Sequence, residues 1–438
     1  MGIGGRTVDF QAMYKDKLIT IDQALGLIKS DDEIVVGVGP SEASALLEKL
    51  HTISDRVQNV TVISCLPMGP YEFCSDAKYK GRFFHESSFF TANARAARDI
   101  GMASYIPTHL HAVATKRLGF RKPRVVFGTA SPMDRWGNMS LSLGVTYEKD
   151  FMEHADLVIM EVSSRYPVTY GDTLLNIRDV DYVVETDRMP PELHVTKPSE
   201  KDLIIGEYIS ELVEDGSTIQ LGIGGIPNAV AQALYNKKDL GVHTEMFTDS
   251  MVDLYEAGVI TGSKKTLHPG KMVGTFAFGT RRLYDFLDGN PMCEFYRAGY
   301  VNNPFVIGQN HKMVSINTSL QVDVTGQCCS EALGTRQYSG AGGQTDTAVG
   351  AQLSEGGKSI IALHSTVKND TISTIVPTLT LGAPVTLTRM DVDYVVTEYG
   401  VAALRGRSIR DRVRNLIAVA HPDFRAELRA QVERLQIC

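Results

Sequence analysis

The chain predicts an α/β fold of two similar domains, each an open, mostly parallel sheet with helices packed on it. Three observations point there. Short runs rich in Val and Ile recur between Gly, Pro and Asp, the composition of strands buried on both faces of a parallel sheet. Helical stretches rich in Ala and Leu alternate with them, as in doubly wound folds. Two segments also occur twice, in the same order, which is the mark of an internal duplication. Asp179–Val184 reads DVDYVV, and so does Asp391–Val396, an offset of 212 between positions 179 and 391. Upstream, Asp32–Leu47 (DEIVVGVGPSEASALL) and Gly216–Leu234 (GSTIQLGIGGIPNAVAQAL) each run from an apolar strand through G-x-G into a helix. Gly37 and Gly39 align there with Gly222 and Gly224, an offset of 185 between positions 37 and 222, so the second copy is the longer one between the markers.

Taken along the chain, the strand of the first G-x-G segment is followed by strand candidates at Asn59–Ile63, Arg124–Phe127 and Ala155–Val162, with a helical pattern at Thr91–Ile100 (TANARAARDI). Pro190–Lys201 (PPELHVTKPSEK) carries three of the 17 prolines and several charges, and reads as the linker. This places an N-terminal domain at residues 1–189, a linker at 190–201 and a C-terminal domain at 202–438. The second domain then offers strands at Thr218–Leu221, Ser359–Leu363 and Asp393–Val396 and a helix at Asn228–Leu234. Ser408–Arg434 has helical spacing with an arginine-rich, solvated face.

Composition narrows the function classes. At 438 residues, 43% hydrophobic and 22% charged, the chain is folded rather than disordered, and a protein this size buries roughly three quarters of its unfolded surface. A net charge of −7 without a Lys/Arg stripe speaks against nucleic acid as partner. No apolar stretch reaches the length of a membrane span, and Met1–Phe10 lacks the apolar core of a secretory signal, so a cytoplasmic protein is expected. The six cysteines form no C-x-x-C pair and read as reduced thiols. The 11 histidines are scattered, with His109 and His111 in THLHAV the one close pair, and no metal is expected. Neither a G-x-S-x-G nucleophile elbow nor a phosphate-binding GxxxxGK[ST] loop is present. Glycine is the unusual count, 39 residues or about 9% against an average near 7%.

Those glycines gather at candidate chemical loops. Gln220–Asn228 (QLGIGGIPN) ends a strand and opens a helix, where Gly222, Gly224 and Gly225 permit close backbone approach and Pro227 suits a first helical turn. Unpaired N–H groups there suit an anion or a developing oxyanion, although a plain strand-to-helix turn gives the same letters. If Gly241–Asp249 (GVHTEMFTD) is one strand, His243, Glu245, Phe247 and Asp249 share a face. A Glu in so apolar a run is a nucleophile, a general base or half of a salt bridge, with Asp249 the competing acid, whereas Glu256 reads as an exposed helix residue. Gln337–Asp346 (QYSGAGGQTD) places Gly340, Gly342 and Gly343 in a flexible loop able to cradle a charged group, or simply to turn a hairpin. Arg405 and Arg407 follow the second DVDYVV at a strand end and read as a solvated loop or, less readily, as a basic pair reaching a phosphorylated cofactor.

Together these segments resemble the family I CoA-transferases, most of all the 4-hydroxybutyrate/butyrate CoA-transferases of the acetyl-CoA hydrolase/transferase group. The resemblance rests on GIGGIP (Gly222–Pro227), HTEMFTD (His243–Asp249), KMVGTFAFGTRRLYDF (Lys271–Phe286), SGAGGQTD (Ser339–Asp346), VVTEYGVAALRGRS (Val395–Ser408) and AHPDF (Ala420–Phe424). SPMDRWGNMSL (Ser131–Leu141) and YGDTLL (Tyr170–Leu175) add to it in the first half, so that it spans nearly the whole chain in order. It implies that Glu245 is the nucleophile and that the substrates are an acyl-CoA and short carboxylic acids, coenzyme A being carried as a glutamyl thioester. It also implies oxyanion or CoA contacts from Gly224–Gly225 or Gly342–Gly343, with Gln220 or Gln344 as amide donors. Gly340–Gly343 would wall off water, Lys368 after Ser359–Leu363 would meet the CoA phosphates, and the enzyme would be a homodimer or larger homo-oligomer. Two departures stand out: Thr347 and Val349–Gly350 replace the aromatic residue and Arg-Gly usual beyond the GGQxD loop, and Gly39–Glu42 differs after the first strand. Both are expected to border the acyl pocket. Two other readings share these residues: an acyl-CoA hydrolase with water as final acceptor, and a non-enzymatic effector-binding module, against which the lack of any DNA-binding appendage speaks.

Overall fold

The computed structural model describes residues 8–193 and 196–438. In the first lobe, β1 (Glu33–Val36), β2 (Val60–Ser64), β3 (Phe83–Ser87), β4 (Ala103–Tyr105), β5 (Val125–Ala130), β6 (Leu157–Ser163) and β7 (Tyr182–Thr186) form one sheet in the order β7-β6-β5-β1-β2-β3-β4, parallel throughout. The second lobe repeats the plan. Here β8 (Thr218–Leu221), β9 (Gly241–His243), β10 (Met272–Gly274), β11 (Cys293–Phe295), β12 (Met313–Thr318), β13 (Lys358–Ala362), β14 (Tyr394–Thr397) and β15 (Gly400–Ala403) lie in the order β15-β14-β13-β12-β8-β9-β10-β11. Only β15 runs antiparallel, returning from β14. With β15 set aside, the two strand orders are the same, which is the duplication read from the repeats.

The repeated hexapeptide does the same work in both lobes. In the first, Val158 at the second position of β6 donates its N–H to Asp181 Oδ2 (2.7 Å), and the Asp181 N–H donates to the Val158 carbonyl (3.0 Å). In the second, Ser359 at the second position of β13 and Asp393 make the same two bonds, at 2.9 and 3.1 Å. Each Asp thus sets the register between the last two parallel strands. The fifth strands begin at 125 and 313 and the sixth at 157 and 358, so much of the second copy's extra length falls between those strands. That insertion holds the hairpin Ala332–Leu333/Arg336–Gln337 and the glycine loop.

Alternation across the strands feeds separate apolar layers. Val126, Val158 and Val183 face a core that continues without a break into Ile219, Leu221, Val242 and Phe247 of the second lobe. Phe127, Ile159 and Val184 face the outer layer of the first lobe. The two-residue strand Tyr170–Gly171, from the first half of the sequence, joins the far edge of the second sheet beside β11. The lobes are therefore welded through shared core and shared sheet.

Three expected elements differ. Gly241–Asp249 is not one strand: β9 stops at His243, Met246–Phe247 pairs with Phe276–Ala277, and Asp249 opens a helix. Ser408–Arg434 forms two helices, Ile409–Val419 and Pro422–Arg434, because Pro422 lacks the N–H that would continue the first. The helix α1 (Glu200–Leu212), capped by Ser199, takes in the last two residues of the expected linker. All six cysteines are free, and only Cys438 is exposed. Among the described residues no helix is long and apolar enough to cross a membrane.

Candidate active site

Beyond β9 the backbone leaves the sheet and its partners fix the next two residues. The Thr244 N–H donates to the Val273 carbonyl (2.9 Å), and the Glu245 carbonyl accepts from Thr275 (3.0 Å) and Phe276 (3.2 Å). The break in the expected strand is thus what releases the Glu245 side chain at the carboxyl ends of the strands, where open α/β sheets bind ligands. Both sheets present those ends to a common cleft. A cavity of about 280 Å³ lies there. The first lobe supplies Val38, Cys65, Leu66 and Phe89, just past β1, β2 and β3, together with Leu110. The second supplies Gln220, Gly222, Glu245, Phe276 and the loop Gly340–Gln344.

Glu245 is half-buried at the wall of this cavity, and its Oε2 accepts from Asn302 Nδ2 at 3.0 Å. Burial pushes its carboxyl up to about 7; the Asn302 amide and the Gly343 N–H pull the other way, while the negative charge of Asp346 adds to the rise. His243, two residues upstream and fully buried, bonds through Nε2 to the Val301 carbonyl at 2.8 Å. Burial, with the charge of Lys265 behind it, drives its ring down to about 3, so the ring is neutral and serves as a donor. One strand end therefore holds both the acid and, through Val301, the turn that carries Asn302.

The glycine loop, a segment of the second lobe, is pinned by the first. Its Gly342 carbonyl accepts from the Leu110 N–H (3.1 Å), and the Ser339 carbonyl accepts from Phe90 (3.3 Å). A Cβ at residue 340 would run into the Ser88 carbonyl, and one at 343 would collide with both Glu245 Oε2 and Asn302 Nδ2. Gly342 adopts φ +52°, in the left-handed region. The loop is a wall of the cavity, tight against the carboxylate.

The structure brings some of the sequence candidates together and leaves others apart. Gln220 and Gln344 line the cavity; Gln220 Oε1 accepts from the Ile316 N–H (3.2 Å), and Gln344 Nε2 donates to the Thr318 carbonyl (3.1 Å). Gly222 lines it too, but Gly224 (φ +118°) and Gly225, which open α2 (Gly225–Ala233), do not. Gly224 faces a second cavity of about 460 Å³ beyond Ile223, and Gly225 packs on Asp202. Lys368 sits at the tip of the Thr366–Val367/Ile372–Ser373 hairpin, outside the lining of the Glu245 cavity. Asp249 is committed to Thr280, whose N–H it accepts at 2.8 Å, and Glu256 pairs with Arg282 at the surface. Arg405 reaches Asp393 (3.7 Å) away from the cleft.

The two departures do not border the cavity as expected. Glu42 is buried behind it, its Oε2 accepting from the Tyr71 hydroxyl (2.7 Å) and the Met68 N–H (3.0 Å). Thr347 lies within α3 (Gln344–Leu353) and bonds Ser315 Oγ at 2.9 Å, while Gly350 packs on Ile307. Sequence reasoning missed Asn302, Cys65 and Phe89. Asn302 had a usable signal: in Asn302-Asn303-Pro304, Asn303 caps the helix that Pro304 opens, which leaves a second, fully buried Asn to be explained. Among the described residues no group of three His, Cys, Asp or Glu side chains is arranged to hold a metal ion.

Comparison with known proteins gives this geometry a context. Residues 5–195 match the profile of the acetyl-CoA hydrolase/transferase N-terminal domain, and residues 279–432 that of the C-terminal domain. The 4-hydroxybutyrate coenzyme A transferase of Clostridium kluyveri is 43% identical over 425 residues, 96% of this chain and 98% of that protein. The crystal structure of RipA from Yersinia pestis superposes with a TM-score of 0.94 at 34% identity, covering 98% of this chain and all of that one. A 4-hydroxybutyrate CoA-transferase from Porphyromonas gingivalis does so with a TM-score of 0.83 at 36% identity, covering 97% and 100%.

Proposed function

This chain belongs to the acetyl-CoA hydrolase/transferase family and is an enzyme of the transferase class, and from that premise we propose that it moves coenzyme A between a short-chain acyl-CoA and a free carboxylic acid, with Glu245 as the nucleophile. The observation that carries the reading is the Glu245 carboxylate itself, held in a cleft between the lobes by the Asn302 amide and a glycine loop that fits nothing larger. A carboxylate is the residue type the exchange needs. Its oxygen attacks the thioester carbonyl and the C–S bond breaks, giving an acyl-glutamyl anhydride and the CoA thiolate. The thiolate then attacks the glutamyl carbonyl, the donor acid leaves as its carboxylate, and CoA is held as a glutamyl thioester. An acceptor carboxylate attacks that thioester, and the same two steps in reverse give the new acyl-CoA and free Glu245. No proton and no ATP is consumed overall.

Each step passes through an oxyanion. Asn302 Nδ2 and the Gly343 N–H already serve the negative charge of the resting carboxylate, and the Gln220 amide lines the same wall. Removing one such donor typically costs about 100- to 1000-fold in rate. A cavity of about 280 Å³ is below the range of roughly 300–1,000 Å³ usual for drug-sized ligands. It suits the acyl end of the thioester, with the nucleotide of coenzyme A outside. Its first-lobe side, Val38, Cys65, Leu66 and Phe89, is largely apolar and suits a short aliphatic acyl group such as acetyl, butyryl or 4-hydroxybutyryl.

The test is CoA exchange between butyryl-CoA and acetate, by wild type and Glu245→Gln. Wild type is expected to make acetyl-CoA with ping-pong kinetics and the variant to make none. CoA release at a rate indifferent to added carboxylic acid would instead support a hydrolase. A cytoplasmic location and a homodimer or larger homo-oligomer remain part of the proposal, the latter checked by light scattering on the eluting protein.

A further inference from the structure

One charged contact beside the proposed nucleophile joins the lobes and has no part in the steps above. Asp346, in the first turn of α3 and 1% exposed, gives both carboxylate oxygens to a single residue of the first lobe. Its Oδ1 meets His111 Nδ1 at 2.7 Å, and its Oδ2 accepts the His111 backbone N–H at 3.1 Å. Next to this contact the Leu110 N–H holds the Gly342 carbonyl, so the turn Leu110–Ala112 clamps both the glycine loop and the helix that follows it. Three residues before Asp346 stands Gly343, whose Cα faces Glu245 Oε2 and Asn302 Nδ2 without room for a Cβ.

We propose that His111 is a positioning residue for the CoA-transfer reaction, locking the first turn of α3 so that Gly343 stays against the Glu245 carboxylate, and offsetting the charge of Asp346 so that Glu245 does not face a bare anion. The inference rests on Glu245 being the nucleophile. Asp346 and Glu245 are coupled: the Asp346 charge raises the Glu245 carboxyl. Asp346 in turn raises the His111 ring, whose other charged neighbour, Lys116, lowers it. The remaining groups around the contact are few. His109 stacks on the His111 ring at 5.9 Å and comes within 4.0 Å of Asp346. The turn Ala298–Val301, packed against Leu110–Ala112, offers only Tyr300, whose hydroxyl is bonded to His268 (2.9 Å). A proton taken up by His111 therefore sits chiefly against Asp346, and lowers the pH at which Glu245 loses its own.

Two substitutions separate position from charge. His111→Ala removes the ring's hydrogen bond and its charge, leaving only the backbone N–H on Asp346 Oδ2. His111→Asn keeps a donor close to the place of Nδ1 but cannot become a cation. The expected results, read as pH profiles of butyryl-CoA:acetate exchange, are a fall in kcat of about tenfold for H111A with KM for butyryl-CoA little changed. H111N is expected to recover most of that kcat, and the acid limb of both variants to move up by roughly one pH unit. An acid limb that stays in place in both variants, whatever happens to kcat or thermal stability, leaves only a structural tie and overturns the proposal; so does an H111A enzyme with wild-type kcat. Glu245→Gln, assayed alongside, tests the nucleophile separately: residual exchange in that variant would sink the Glu245 reading whatever the His111 variants do.

Discussion

Glu245 is held where its proton binds more tightly than in water, and that has consequences for both rate and stability. Attack on a thioester needs the carboxylate, so kcat/KM is expected to fall as pH drops through about 7, well above the ordinary carboxylate range near 4.5. A limb centred near 4.5 would contradict the burial described here. The linkage sign follows from the raised value: folding favours the protonated form, so the residue costs nothing below about 4.5 and progressively destabilises the fold as pH rises from there to about 7. Glu245→Gln carries no such cost. Its melting temperature is expected to exceed that of wild type at pH 8 and to match it near pH 4, the reverse of what loss of a structural salt bridge would do. Gly343 makes the complementary case. Its φ of −100° admits alanine, but a Cβ would displace the carboxylate and the Asn302 amide. Gly343→Ala should therefore cost about 100-fold in kcat with the fold intact by circular dichroism.

At the scale of elements, the paired hexapeptides make equivalent contacts in unequal surroundings. Asp393 is fully buried and also accepts from Gln352 Nε2 (3.1 Å), whereas Asp181 is exposed. Removing the carboxylate leaves the Ser359 N–H buried without its partner, and the Val158 N–H nearer to water. Asp393→Ala is expected to cost about 1–3 kcal/mol by denaturant titration and Asp181→Ala distinctly less; equal costs would mean that the shared register bonds, not burial, set the energy. This also bears on what the sequence could say. The two-lobe plan was legible because the duplication put the same strand signals in both halves in the same sequence, whereas the order of strands within each sheet was not. The bounds of β8 were legible because Gly216 and Gly222 close a short run on either side. The break at Thr244–Glu245 was not, since strand alternation runs through it in the letters, and only the pairing of Thr275 and Phe276 with the Glu245 carbonyl bends the chain there.

Over the whole molecule, the cleft exists only because two sheets face one another, and that could not be read locally. Cys65, Leu66 and Phe89 stand more than 150 positions from Glu245, and no spacing rule connects them to it. Family resemblance pointed to Glu245 and the glycine loop, which line one cavity, and to Gly224–Gly225, Glu42 and Thr347, which do not line it; Lys368, expected at the CoA phosphates, also lies outside that lining. The lobes are joined further by Arg95 stacked on Tyr338 at 4.3 Å and by the Tyr105 hydroxyl donating to Glu331 at 2.8 Å. We propose the division into residues 1–189 and 202–438 with 190–201 as the connection. A chain cut after folding, at a protease site placed at 196–198, is expected to elute as one species and keep its activity, because core and sheet cross between the lobes; halves that part on a sizing column would contradict that. The central claim, that coenzyme A passes through Glu245, has a direct test. Enzyme treated with butyryl-CoA and then borohydride should yield a peptide in which the side chain of residue 245 has been reduced to the alcohol, absent when acyl-CoA is omitted. An unmodified Glu245 peptide from enzyme that borohydride has inactivated in an acyl-CoA-dependent way would place the thioester on another residue and contradict the account.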